Sequence, residues 1–201
     1  MKTKFSIIAA GLLLARLAGA QTTLTQNYTP GLLIPVGNPV GLTDQEAFTS
    51  GLGDTISNVT VNLNFSGGYN GDLYVSIHAS NGTSVVLLND PGAGVNGFGA
   101  GGAGMNILLT DASVNLIQDE TNNTVLSGDY HPATSLASFA GGAVAGDWTL
   151  FVADLGIGTG SPTLVSWSLN IDPVPEPSTL LLGGLAATGL LAGRSWKNRK
   201  I

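Results

Sequence analysis

Few residues in this chain could carry chemistry. Asp72, Asp111 and Asp154 fall at predicted strand ends or turns, where carboxylates and main-chain carbonyls can converge. Hard oxygen donors in that setting hold calcium, although no EF-hand order surrounds any of the three. The ordinary role of an Asp in a turn is to accept nearby backbone N–H bonds. That role is the first expectation, and calcium is the alternative. His78 and His131 are the candidate bases. His78 alternates with Tyr74 and Ser76 on the polar side of a predicted strand, and His131 precedes Pro132 in a loop. Both read as solvated or structural, and no His-x-x-x-His spacing suggests zinc. Gly82-Thr83-Ser84 offers a hydroxyl, but in a hairpin, and no Gly-x-Ser-x-Gly elbow exists. Gly92-Ala93-Gly94-Val95-Asn96-Gly97 spells a dinucleotide-binding pattern, yet it is expected to open no helix and so to bind no nucleotide. Cysteine is absent, which excludes thiol catalysis and Cys-based metal centres. No catalytic residue is expected, and no cofactor apart from the calcium alternative.

The elements that position these residues are short strands. Glycine is abundant and helical patterning is weak. In residues 56–65, Val59, Val61, Leu63 and Phe65 alternate with Thr60, Asn62 and Asn64, the period of a half-buried strand. Residues 72–79 repeat the pattern with Leu73, Val75 and Ile77 inward. Asn81-Gly82 signals a tight hairpin into residues 84–88. Further strands are predicted over 105–109, 114–117, 148–153 and 165–171, the last with Val165, Trp167, Leu169 and Ile171 on one face. Residues 21–48 read as an arm or leading edge strands, and Asp172-Pro173-Val174-Pro175 as a stiff linker. Strands this short, with turn signals between them, predict an all-β fold, an antiparallel β-sandwich or jelly roll. Trp148 and Trp167 are the largest apolar groups available to fill its core.

Charge is divided sharply along the chain. The seven Lys and Arg all lie in residues 2–16 or 194–200, whereas the thirteen Asp and Glu all lie between Gln21 and Glu176. The formal net charge of −6 therefore hides a strongly acidic middle. Nucleic acid and anionic membranes are excluded as partners of that middle, because nothing there neutralises phosphate. Ion pairs to Lys or Arg within it are impossible, so its stability must rest on burial and hydrogen bonds.

The ends have a different composition. Lys2 and Lys4 precede an apolar run over 5–14, and Ala18-Gly19-Ala20 offers small residues for cleavage between Ala20 and Gln21. That order predicts a signal peptide over 1–20, handled by signal peptidase. At the other end, Val174-Pro175-Glu176-Pro177-Ser178-Thr179 precedes an apolar segment, 180–193, and a basic end, 194–201. The segment is a short transmembrane helix candidate, with its basic flank cytoplasmic and the domain outside. Motif, helix and basic cluster together resemble the PEP-CTERM sorting signal of bacterial exported proteins. The resemblance implies processing by an exosortase around Pro175, Glu176 and Pro177. It also implies transient anchoring in the inner membrane and delivery to the cell surface or medium.

A second resemblance rests on Asn70-Gly71-Asp72-Leu73, Asn81-Gly82-Thr83, Gly146-Asp147-Trp148-Thr149-Leu150 and Ser166-Trp167-Ser168-Leu169. Their order is similar to that of the P domain (P/Homo B) found behind the catalytic domain of proprotein convertases and bacterial subtilisin-like proteases. It covers residues 32–172 and implies a β-sandwich jelly roll with a stabilising or interaction role. The expected organisation is a signal peptide (1–20), an arm (21–31), the P-like domain (32–172) and a sorting tail (173–201). The expected function is a non-enzymatic exported surface or matrix protein contacting cell-envelope or exopolysaccharide components. One alternative is a carbohydrate-binding module using Tyr69, Tyr74 and Tyr130. Another is an accessory domain of a subtilisin-like endopeptidase, by family association alone.

Overall fold

A computed structural model describes residues 22–51, 54–158 and 160–174. The expected signal peptide, the Ala20–Gln21 cleavage point, Pro175, Glu176, Pro177 and the apolar segment 180–193 lie outside the described residues. Ten strands form two sheets with little helix, the all-β sandwich expected from the alternation. They are β1 (Leu24–Tyr28), β2 (Leu32–Leu33), β3 (Asn38–Phe48), β4 (Thr55–Ser66), β5 (Leu73–Ala79), β6 (Ser84–Asn89), β7 (Gly104–Leu109), β8 (Leu126–Tyr130), β9 (Gly146–Asp154) and β10 (Thr163–Val174). One sheet runs β1-β10-β4-β7-β8, with β2 also pairing with β10; the other runs β3-β9-β5-β6. All pairings are antiparallel except β7 with β8, which is parallel.

The core lies between the sheets and follows from period two. Val59, Val61, Leu63 and Phe65 of β4 face Leu73, Val75 and Ile77 of β5 across it, together with Leu150 and Val152 of β9, all essentially buried. Each such side chain contributes roughly 1.5–3 kcal/mol of transfer free energy. Trp148 and Trp167 are each about as buried, at 1% exposed. Trp148 packs edge-on to Phe139 at 4.9 Å between ring centres. Trp167 meets Tyr28 at 4.4 Å and donates its indole N–H to Asp44 Oδ2 at 2.7 Å. With no Lys or Arg among the described residues, an indole is the donor that settles this carboxylate.

Several expectations need correction. Residues 114–117 form no strand. Leu116 makes one isolated bridge with His131, and a single 3-10 turn follows over Ile117–Asp119. Val114 is 91% and Leu116 48% exposed, and Ile117 alone of the three is buried, so the run has no alternating face to pair as a strand. The edge strand next to them is instead β8, whose Leu-Ser-Gly-Asp-Tyr carries little apolar alternation. Val165 does not share the inner face of Trp167, because a bulge between Leu164 and Ser166 turns Leu164 inward and leaves Val165 37% exposed. Asp172 to Val174 is no linker: β10 runs to Val174, with Pro173 opposite Ile56 at a second bulge, where a missing N–H is tolerated. Residues 24–28, within the stretch read as arm or edge strand, pair along their whole length with β10.

Candidate functional site

The fold sends the three singled-out carboxylates to two different places. Asp111 follows β7, in the turn at residues 110–113. Its carboxylate accepts the Ser135 hydroxyl at 2.7 Å and the Leu136 and Ala137 N–H groups at 3.0 and 2.9 Å. Those amides open a 3-10 turn, Leu136–Phe139, so Asp111 and Ser135 together cap it. Burial pushes the Asp111 carboxyl up, but the Ser135, Leu136 and Ala137 bonds and the His131 ring outweigh it, and its pKa lies below the ordinary 3.8. This is the turn-acceptor role.

Ser135, Asp111 and His131 carry the side chains of a hydrolytic triad in the wrong arrangement. The serine donates to the aspartate, not to the histidine. His131 Nδ1 donates to Pro132 O at 2.8 Å, and its Nε2 stands 3.8 Å from Asp111 Oδ1. No base therefore faces the hydroxyl. His78 bonds Ser76 Oγ at 3.0 Å, while Ser84 stands opposite His78 across the β5–β6 pair with Gly82 in the hairpin turn. The glycine-rich stretch does hold one helical turn, α1 (Ala93–Asn96), contrary to the expectation of none. Gly92 and Gly97 at its ends sit at φ 78° and 79°, where glycine is favoured, and close a single turn too short to act as an anion site.

Asp72 and Asp154 do come together. Asp154 is the last residue of β9, the strand between β3 and β5, and pairs in register with Asn38 on one side and Leu73 on the other. Asp72 immediately precedes Leu73, and its carbonyl accepts the Leu155 N–H at 2.8 Å. Gly156 lies between the two carboxylates. Its N–H donates to Asp154 Oδ1 at 3.0 Å, and the Asp72 carboxylate fills the space that a Cβ on Gly156 would need. Asp154 is completely buried, and its Oδ2 has no hydrogen-bond partner among the described residues. Burial, partly offset by the Gly156 N–H and reinforced by the Asp72 charge, holds its pKa above the ordinary value. Asp90, whose N–H donates to Leu73 O, is held up in the same way by burial and then by Asp72. It is the one non-glycine residue with positive φ, 48°, among the described residues.

Sequence reasoning missed Asn70. This fully buried amide accepts from Gly104 N–H and donates to Gly104 O, at 3.0 and 2.9 Å, pinning the turn before β5 to the start of β7. A buried side-chain amide meeting a glycine backbone has no periodic signature. Tyr74 and Tyr130 lie in different sheets. Tyr74 lies edge-on to Phe151 on the four-stranded sheet, whereas Tyr130 ends β8 in the other sheet and donates to Glu120 Oε2 at 2.9 Å. Tyr130 borders a shallow cleft of about 470 Å³ with Val114, Leu116, Asp119 and Glu120.

Residues 173–200 match the PEP-CTERM protein-sorting motif. That motif implies export to the cell envelope or surface and processing by an exosortase. No curated protein matches the chain. Among solved structures, it is similar to the serine protease of Aeromonas sobria in complex with its chaperone ORF2, at 14% identity and a TM-score of 0.48 over 81% of this chain. It is also similar to the Aeromonas sobria serine protease alone, at 16% identity and a TM-score of 0.44 over 80%. The chain spans 29% and 28% of the lengths of those two matched chains.

Proposed function

We propose that this is a non-enzymatic exported protein of the cell surface or extracellular matrix, whose P-domain-like sandwich is an interaction module delivered by an exosortase. The observation that carries the reading is the sorting motif over 173–200, which begins while β10 is still paired within the sandwich at Pro173 and Val174. Domain and sorting signal are thus joined without a spacer, and the sandwich is the cargo. The acidic, Lys- and Arg-free middle suits a protein that works outside the cell against neutral or cation-bridged polymers. The wrong-way Ser135–Asp111–His131 contact supports a non-catalytic reading of the hydroxyls and imidazoles.

The test is the intact mass of the protein recovered from envelope and medium, with a peptide-hydrolysis assay on the same sample. A mass running from Gln21 to near Glu176, without hydrolysis, is expected. A mass that still includes Ile201 would overturn sorting. Hydrolysis abolished by a serine-directed inhibitor would overturn the non-enzymatic assignment in favour of the protease association.

A further inference from the structure

The Asp72–Asp154 corner has a property that hydrogen bonding within the fold leaves unexplained. A carboxylate oxygen with no exposure and no donor is costly to bury, because an unpaired buried charge loses its hydration and gains nothing in return. A second carboxylate beside it makes the cost larger, since two negative charges repel at short range. The chain supplies no Lys or Arg anywhere between Gln21 and Glu176 to relieve the pair. Other available positions were not used: Asp111 shows that this fold can surround a carboxylate with N–H and O–H donors where the role is structural. Among the described residues Gly156 alone donates to the Asp154 carboxylate, at Oδ1, and Oδ2 is left over.

We propose that Asp154 and Asp72 anchor a calcium site at the end of β9, with Asp154 as the buried inner ligand and Asp72 at the solvent side. Three features favour calcium over other cations. The donors are oxygens alone, with neither sulfur nor imidazole, which disfavours zinc. Asp154 is buried while Asp72 is half-buried, so an ion can enter from one side and meet a fixed wall on the other. Among the described residues no three His, Asp or Glu side chains gather at one point. The remaining positions must therefore go to main-chain carbonyls and water, which calcium's irregular shell of six to eight oxygens accepts and the strict octahedron of magnesium does not favour. Asp90 adds negative charge at the rim, on a turn hydrogen-bonded to Leu73. Gly156 is the residue that lets both carboxylates approach, because any side chain there would collide with Asp72. Bound calcium would tie the ends of β5 and β9 to the turn after β9 and stabilise the folded state by mass action.

The experiment uses the full chain, purified in mild detergent, stripped with chelator and titrated with calcium chloride alone. Isothermal calorimetry reads binding and a thermal melt reads stabilisation. At calcium about 100 times its dissociation constant, Tm should rise by roughly 5 °C or more. Magnesium at the same concentration should give a smaller shift. Asp154→Asn and Asp72→Asn should each abolish the calcium shift, and Asp111→Asn should retain it. If Asp154→Asn fails to fold, Asp72→Asn carries the test by itself, because its side chain is not fully buried. The proposal falls if millimolar calcium gives neither heat nor a Tm shift, or if Asp72→Asn and Asp154→Asn respond to calcium as the parent does.

Discussion

At one corner of the sandwich Asp111 accepts three hydrogen bonds and sits below its ordinary pKa. At another, Asp154 accepts one bond, keeps an unpartnered oxygen and sits above it. Both residues were equivalent as sequence, an Asp at the end of an apolar run. The difference lies in what backbone the fold turns toward them. The 3-10 turn at Leu136–Phe139 aims free N–H groups at Asp111. The last residue of a central strand has its neighbours' N–H groups already committed to the ladder, so among the described residues Asp154 is left with Gly156. A carboxylate satisfied by the protein holds a turn together; one left unsatisfied beside a second carboxylate is available to something from outside.

The largest effect is expected at Asn70, a buried polar group that is satisfied where Asp154 is not. Asn70→Ala leaves Gly104 N–H and C=O both buried without their partner and should cost about 2–4 kcal/mol, read by urea unfolding. A loss under about 0.5 kcal/mol would show that water replaces the amide and that burial at this end is looser than the structure indicates. Next is Asp111→Ala, which removes three acceptor contacts and should cost about 1–2 kcal/mol. Its pH dependence has a definite sign. The folded pKa is lowered, so the stabilisation is present above the unfolded value of 3.8 and is lost as pH falls through the folded value below it. Acid unfolding of Asp111→Asn should lack that limb; an unchanged acid limb would assign it elsewhere.

The opposite sign is expected at the other corner. With chelator present, Asp154→Asn should raise stability by about 1 kcal/mol, because the amide keeps the Gly156 contact and removes a buried charge. Destabilisation under chelator would mean that the carboxylate has a donor and that the two corners are alike. The smallest effect is at Tyr130→Phe, which removes the bond to Glu120 and should cost about 0.5–1 kcal/mol. Burial, followed by the Glu120 bond and charge, pushes Tyr130 up to about 12. Burial, then Glu46 and Asp44, does the same for Tyr28. The stability tied to these neutral hydroxyls is full below pH 10 and fades as pH rises through about 12. Absorbance titration of Tyr130→Phe should lose one late-ionising tyrosine.

Much of the fold was legible in the sequence where one face of a strand is buried and the other wet. Residues 59–65 alternate strictly, and β4, Thr55–Ser66, contains the strand that the pattern placed at 56–65. Asn81-Gly82 marks the β5–β6 hairpin for a local reason, since Gly82 sits at φ 85°. Legibility failed where the pattern was not local. β8 has no alternation of its own and exists because β7 offers it a parallel edge. The bulge at Leu164 and Ser166 swaps faces within one residue, which no count of apolar positions reveals. Of the candidate residues, Trp148 and Trp167 were readable as core from size alone.

By itself the sequence determined the charge segregation, the strand-rich middle and the three-part C-terminal signal, because composition and order along the chain carry those directly. Only the tertiary structure decided which carboxylates meet. Asp72 and Asp154 lie more than half the sandwich apart in sequence, and antiparallel pairing of β5 with β9 brings the start of one strand beside the end of the other. The same pairing commits the local N–H groups to the ladder and leaves Asp154 Oδ2 alone. Hydrogen-bond satisfaction is a property of the assembled backbone, and no residue type announces it in advance.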